Sequence, residues 1–531
     1  MKLLSILHKW PHCFKKRDKT SYLLLLTVFF LCIMIMISSA SAASVWDGKS
    51  VDTSWYDDSK REFTIDSAAQ LAGVAALVND GTTTFRDKTI TLANDIDLNN
   101  HPWTPIGFGE EKTLEIVYVD NVKNTYHMSR NFEGVFNGGN HLISNLYIYY
   151  PASDNVGLFG RAGDWYADWF NRESVICTIK NLQVEATSIT GKSHVGGVVG
   201  YLMNGEIDSV TMNAAVISGE GYVGGIVGIL GTPESGKSNS HSFIRNVKVN
   251  VDTVKCSHCS SGGIVGQLDG FVENAEVFAK EIRGDRQIGG ISGLFGSGSI
   301  KKCAVIGSVS GTDLVGGISG DVVSYDNTGR GIIGDCYFVG ILFGDSVAGI
   351  TSNLDVGSTI ENCYVVGTIV GNEPGTGGIV SIGGDYSKIT NSVSLIQYIN
   401  STSPNRISGK FAHKTKLHNN YAWDEMMSFD TLITEDDDST SSRNGASISS
   451  ENIWGNQAFF ERTLGWDFKN TWTMNSGNEK FNLPVLQFQE QPVNADAMYL
   501  YAEPVETPGF SPFLVILAFG LCIGLTTRRR K

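Results

Sequence analysis

Short phrases that set apolar against polar positions recur along the middle of the chain. They are Ile179-Lys-Asn-Leu182, Ile207-Asp-Ser-Val210, Ile244-Arg-Asn-Val247, Val272-Glu-Asn-Ala275, Ile300-Lys-Lys-Cys303, Ile333-Gly-Asp-Cys336, Ile360-Glu-Asn-Cys363 and Ile389-Thr-Asn-Ser392. Such alternation reads as half-buried strands. Each is accompanied by a glycine phrase, V-G-G-[IV]-[VS]-G at 195–200, 223–228 and 315–320, with near-copies at 261–266 and 288–293 and weaker ones at 156–160, 347–352 and 376–381. The first position of each glycine pair from Gly196 onward is spaced by 28, 38, 27, 27, 32 and 29 residues, so the unit is 27–28 residues with insertions.

One unit supplies two or three short strands, with Gly at corners that need a positive φ or a close backbone approach. A unit this small cannot bury its apolar face alone. Stacking the units as coils of a parallel β-solenoid lets equivalent Ile, Val, Leu and Cys side chains form inward ladders. Eight coils at about 4.8 Å each predict a rod on the order of 40 Å. The expected fold is thus all-β, a parallel β-helix over residues 132–400, with caps at 43–131 and 401–489 and a linker at 490–507.

The N-terminal cap carries the one convincing helix: Ser67-x-x-Gln70 reads as a capping box, residues 68–78 are almost all apolar or small, and Asn79-Asp-Gly81 ends it. A helix apolar nearly all round must be buried, and the end of a solenoid is an open edge in need of cover. Thr89-Ile-Thr-Leu92, Ile96-Asp-Leu98 and Trp103-Thr-Pro-Ile-Gly107 begin the strands, and alternation through Leu114-Glu-Ile-Val-Tyr-Val119 predicts a projecting hairpin within 108–130. At the far end, Leu464-Gly-Trp-Asp-Phe468, Trp472 and Leu483-Pro-Val-Leu486 suggest a closing cap.

The two termini set the compartment. Lys9, Lys15, Lys16, Arg17 and Lys19 precede an apolar run at 22–37 and a small-residue site ending at Ala42, the order of a secretory signal peptide, residues 1–42. Pro508-Gly-Phe510, an apolar stretch at 513–525 and Arg528-Arg-Arg-Lys531 predict a C-terminal membrane segment with its basic tail inside, in residues 508–531. The whole chain carries −14; the two end segments hold ten Lys/Arg and one Asp, so the body carries −23. An acidic body argues against nucleic acid or anionic lipid as its partner.

Candidate chemistry is sparse. The glycine phrases lack the following helix and Lys-Ser/Thr pair of a phosphate loop. Cys303, Cys336 and Cys363 share the repeat position of Leu182 and Val247 and read as small buried hydrophobes, although disulfides between coils are geometrically open to them and to Cys177, Cys256 and Cys259. Cys256-Ser-His-Cys259 has metal-like spacing without a second ligand pair, so free thiols or a local disulfide stand beside zinc. Glu206, Asp208, Glu273, Asp335 and Glu361 sit on strands where outward carboxylates could align as an acid/base pair, or simply face solvent. In the insertion at 163–177, Trp165, Tyr166, Trp169 and Phe170 are candidate glycan contacts, or fold back over an apolar coil. Glu435-Asp-Asp-Asp438 reads as an acidic loop without the ligand spacing of a calcium loop. Asn400-Ser-Thr402 is the one N-x-[ST] sequon and a candidate glycosylation site. No cofactor is expected.

The repeated glycine phrases, with Gly157-Leu-Phe-Gly160 as the literal signature, resemble the GLUG-repeat family over residues 132–400. That resemblance implies the β-solenoid fold and says little of activity, since related repeats occur in adhesins, cell-wall proteins and some surface peptidases. Those peptidases use an H-E-x-x-H zinc helix, and no His here is followed by Glu. The C-terminal Pro508-Gly509-Phe510, apolar run and basic tail resemble the PGF-CTERM sorting signal of archaeal surface proteins. This implies processing by an archaeosortase and a lipid anchor, although the Thr-rich spacer usual before that signal is missing. The expectation is a non-enzymatic, cell-surface-anchored structural or adhesion protein with surface glycans or neighbouring envelope proteins as partners. The alternative is a β-helix polysaccharide lyase or glycosidase.

Overall fold

The computed structural model describes residues 44–109, 130–163, 175–231, 242–324, 330–429, 431–433, 439–478 and 481–494, and the backbone of the strands Thr113–Val119 and Val122–His127. The chain is a parallel β-solenoid. Its long strands Cys177–Thr190, Gly205–Gly219, Phe243–Cys256, Val265–Arg283 and Ser292–Ser310 stack in register, each on its copy one coil away. The Ile of the alternating phrase heads one inward ladder. It runs through Phe63, Ile90, Phe136, Ile179, Ile207, Ile244, Val272, Ile300, Ile333, Ile360, Ile389 and Leu417. Eleven steps at about 4.8 Å make a rod of roughly 50 Å. Parallel pairing therefore starts before residue 132 and extends beyond 400, reaching Ala446–Ile448.

The glycine phrase builds a separate parallel sheet of short strands, Ser193–Gly196, Gly221–Gly224, Ser261–Gly262, Arg286–Gly289, Asp313–Gly316 and Val347–Ala348. Its second glycines are required by close approach. A Cβ on Gly263 would lie 2.1 Å from the Gly290 carbonyl oxygen, and one on Gly290 2.1 Å from that of Gly317. None of the glycine pairs in this sheet has a positive φ. Left-handed corners fall instead in the polar phrase, at Asn181, Ser209, Asn246, Asn274, Lys302, Asp335, Asn362, Asn391 and Asn419, and at the residue just before several glycine phrases, His194, Tyr222, Gln287 and Leu314. Asn tolerates this conformation better than most residues. Here its amides also bond up the stack, Asn274 Nδ2 to Asn246 Oδ1 (3.1 Å) and Asn419 Nδ2 to Asn391 Oδ1 (2.9 Å).

The helix Ala68–Asn79 closes the N-terminal end, with Leu71, Val74 and Val78 fully buried in the main core. Ser67 Oγ accepts from Gln70 N, but Gln70 Oε1 accepts from Asp66 N rather than completing the box on Ser67. The strands Thr113–Val119 and Val122–His127 pair antiparallel, as the alternation predicts.

The expected closing cap over 401–489 takes a different form. Its first part continues the coils through Lys416–His418, Tyr421–Trp423 and Ala446–Ile448, and its aromatic part lies along the flank of the rod. The cause is a change in the outward face. The outward series Gln183, Thr211, Lys248, Glu276 becomes Ala304, Tyr337, Tyr364, Val393 in later coils. Trp466, Trp472, Phe481, Leu483 and Val485 cover this apolar stripe as a second core. Tyr364 Oη donates to the Pro484 carbonyl (2.7 Å), Tyr337 Oη to Gln489 Oε1 (2.9 Å) and Trp472 Nε1 to Asp335 Oδ1 (3.2 Å).

Candidate functional site

The outward acids of the alternating phrase fall into a ladder of alternating sign: Lys180, Asp208, Arg245, Glu273 and Lys301 are in register. Arg245 Nε reaches Asp208 Oδ2 at 3.1 Å and its guanidinium also contacts Glu206, while Lys302 Nζ holds Glu273 Oε1 at 2.9 Å. Partial burial alone would raise the Asp208 pKa. Hydrogen bonds from Asn246, Ser209 and Arg245, with the Arg245 charge, outweigh it and hold the carboxyl below its ordinary value. Glu361 follows in the same ladder after Gly334. Asp335 sits instead at the left-handed corner and accepts from Asn362 and Trp472. Four of the five acids that the sequence placed on outward strands, all but Glu361, are thus engaged in ion pairs or hydrogen bonds.

A second polar group was not foreseen. On the strands that follow the glycine phrase, Gln267, Leu294, Asp321 and Asn353 occupy one in-register row, and Gln267, Asp269 and Asp321 are buried. Asn353 Nδ2 and Gln287 Nε2 both donate to Asp321 at 2.9 Å, and Ser260 Oγ donates to Gln287 Oε1. Gln267 and Ser297 donate long bonds to Asp269, of 3.5 and 3.4 Å. Burial pushes Asp269 up to about 7 and raises Asp321 as well, since desolvation disfavours the charged form more than these neutral donors restore it. A carboxyl near neutrality can carry a proton to a leaving group. The available signal was Gln267-Leu-Asp269 and Ser319-Gly-Asp321, acids on the strands that follow the glycine phrase, with Asp321 at a position where some other coils carry Ile229, Leu294 and Ile382.

Cys303, Cys336 and Cys363 are fully buried in the inward row, with Cys303 in register with Ala275, and desolvation raises the thiols of Cys336 and Cys363 well above their ordinary value. All six described cysteines are free thiols, including Cys177. At Cys256-Ser-His-Cys259, Cys256 Sγ donates to the Glu220 carbonyl and accepts from Cys259 N, both at 3.1 Å. Among the described residues, no group of three or more His, Cys, Asp or Glu is placed to hold a metal ion. Asn400 ends the strand Val393–Asn400, half-buried, and its Oδ1 accepts from Phe429 N. Trp165, Tyr166, Trp169, Phe170, Ala42, Pro508, Gly509, Phe510 and the run 435–438 lie outside the described residues. No described helix is long and apolar enough to cross a membrane.

No family model matches the sequence, and no curated protein matches it. Among solved structures, the chain is similar to a putative immunoglobulin A1 protease from Bacteroides ovatus, with 18% identity and a TM-score of 0.38 over 82% of this chain and 94% of that one.

Proposed function

We propose that this chain is a surface-anchored, non-enzymatic envelope or adhesion protein that holds a rigid rod outside the cell, the rod being the β-solenoid that its resemblance to GLUG-repeat proteins implies. The supporting observation is the outward ladder of alternating sign, Lys180, Asp208, Arg245, Glu273, Lys301, in which Asp208 is paired with Arg245 and Glu273 with the neighbouring Lys302. A scaffold is served by such pairing, whereas an acid/base pair needs carboxylates free to exchange protons with a substrate. The apolar run at 22–37 and the Pro508-Gly-Phe510 tail supply export and anchoring. Membrane-impermeant biotinylation of intact cells, followed by a glycan-array screen of the purified chain, tests this. Labelling is expected on intact cells; protection until lysis would sink the surface assignment.

The second reading, a β-helix carbohydrate-active enzyme, draws on one observation, the buried Asp269 carboxyl raised to about 7. Polysaccharide turnover by the parent protein, abolished in Asp269→Asn with unchanged circular dichroism, would establish it in place of the scaffold.

A further inference from the structure

In the middle coils most cations have acids to meet. Arg245, Lys248, Lys280, Arg283, Arg286 and Lys302 all make ion pairs. In the last coils this stops. Between Glu373 and Asp424 the sequence holds one acid, Asp385, against five bases, Lys388, Arg406, Lys410, Lys414 and Lys416, in a chain of net charge −14. Arg406 is buried, but the four lysines are exposed, and Lys388 and Lys416 lie opposite each other in adjacent rungs. Like charges directly opposite on neighbouring strands destabilise a sheet. Among the described residues, none of Lys388, Lys410 or Lys416 forms an ion pair.

Rings accompany these cations. Lys414 Nζ donates to Tyr386 Oη at 2.6 Å and lies 4.6 Å from its ring centroid, and the Arg443 guanidinium sits 5.0 Å from that of Phe411. Tyr386 is 53% exposed, and Phe411 and Ile382 remain open beside it. Cations fixed against rings by side-chain contacts keep little rotamer freedom, so less is lost when a ligand arrives.

We propose that this basic, aromatic end of the rod binds a carboxylate-bearing polysaccharide. Lysines one rung apart suit an extended chain with widely spaced negative charges, and Ile382, Tyr386 and Phe411 offer apolar surface to the sugar rings between them. The strongly acidic remainder repels a densely charged duplex, which makes nucleic acid the poorer fit. This deepens the adhesion reading, and rests on it, but does not involve the 163–177 insertion.

The test uses the full-length chain in mild detergent, titrated with polygalacturonate, neutral dextran and double-stranded DNA. Polygalacturonate is expected to bind, and K388Q/K410Q/K416Q to weaken it by about tenfold or more. K180Q/K192Q/K255Q, with the same change in charge elsewhere, and W165A/W169A are expected to leave it unchanged. Y386A/F411A gives a second route, lowering affinity without changing the number of lysines. No binding to polygalacturonate, equal losses in both lysine triples, or tighter binding of dextran or DNA would overturn the proposal. Surface biotinylation would be untouched by such a failure, so the two proposals fail separately.

Discussion

At the residue scale, the coil is set by what cannot be placed at two kinds of corner. The glycine pair is needed because the next coil's carbonyl occupies the space of a Cβ. Gly290→Ala is therefore expected to cost roughly 3 kcal/mol, the upper range for overpacking. Gly334→Ala, whose Cβ would meet only the flexible Glu361 side chain at 3.3 Å, is expected to cost under about 1 kcal/mol. Urea midpoints compare the two, and equal shifts would refute the close-approach account. Asp269 gives a pH signature. Its folded pKa of about 7 lies above the ordinary 3.8, so the native state keeps a proton that the unfolded chain releases across that window. This group's contribution to stability thus falls as pH rises from about 4 to 7. Asp269→Asn is expected to flatten that slope, as thermal melts across pH would record. The alternating phrase made the strands legible; its Asn, at a fixed step, carried the corner signal, but pattern alone does not separate a polar strand position from a left-handed turn.

At the element scale, the flanking C-terminal segment is held by aromatic packing and indole hydrogen bonds. Trp466 and Trp472 stack with centroids 4.6 Å apart, and Trp472 is fully buried. Trp472→Ala is expected to cost about 3–5 kcal/mol. Proteolysis should then cut between 450 and 493 before the coils, and simultaneous cleavage of both would contradict a separately docked flank. The sequence showed that these aromatics needed burial, and the same stretch of chain held the clue to where. Cys303-Ala-Val-Ile306, Cys336-Tyr-Phe-Val339 and Cys363-Tyr-Val-Val366 abandon alternation, the mark of strands covered on both faces. The buried polar residues Gln267, Asp269 and Asp321 were less accessible to reading, because their cover depends on tertiary placement and not on period.

At the scale of the whole molecule, a stacked rod gains stability by nearest-neighbour contacts and must protect its ends. Leu71→Asp/Val74→Asp, which loosens the helix from the first coil, is expected to expose the Glu62–Ile65 edge and produce concentration-dependent association in light scattering. A monodisperse variant with an unchanged melt would show that the helix is not the end's protection. At the opposite end, the second-glycine position runs through Gly197, Gly225, Gly263, Gly290, Gly317, Gly349 and Gly378, each facing the carbonyl of its successor, and then becomes Arg406. Arg406 fills the space beyond with a buried guanidinium bonded to Asn444, Gly445 and Ser447. One further turn still stacks above it, with the Ile407 and Ser408 amides donating to the Arg443 carbonyl, so the guanidinium is enclosed between turns. Where seven glycines leave room for a carbonyl, one arginine needs a turn of its own shape, so the last layer of the rod is tailored to its occupant and cannot be a plain copy of the repeat.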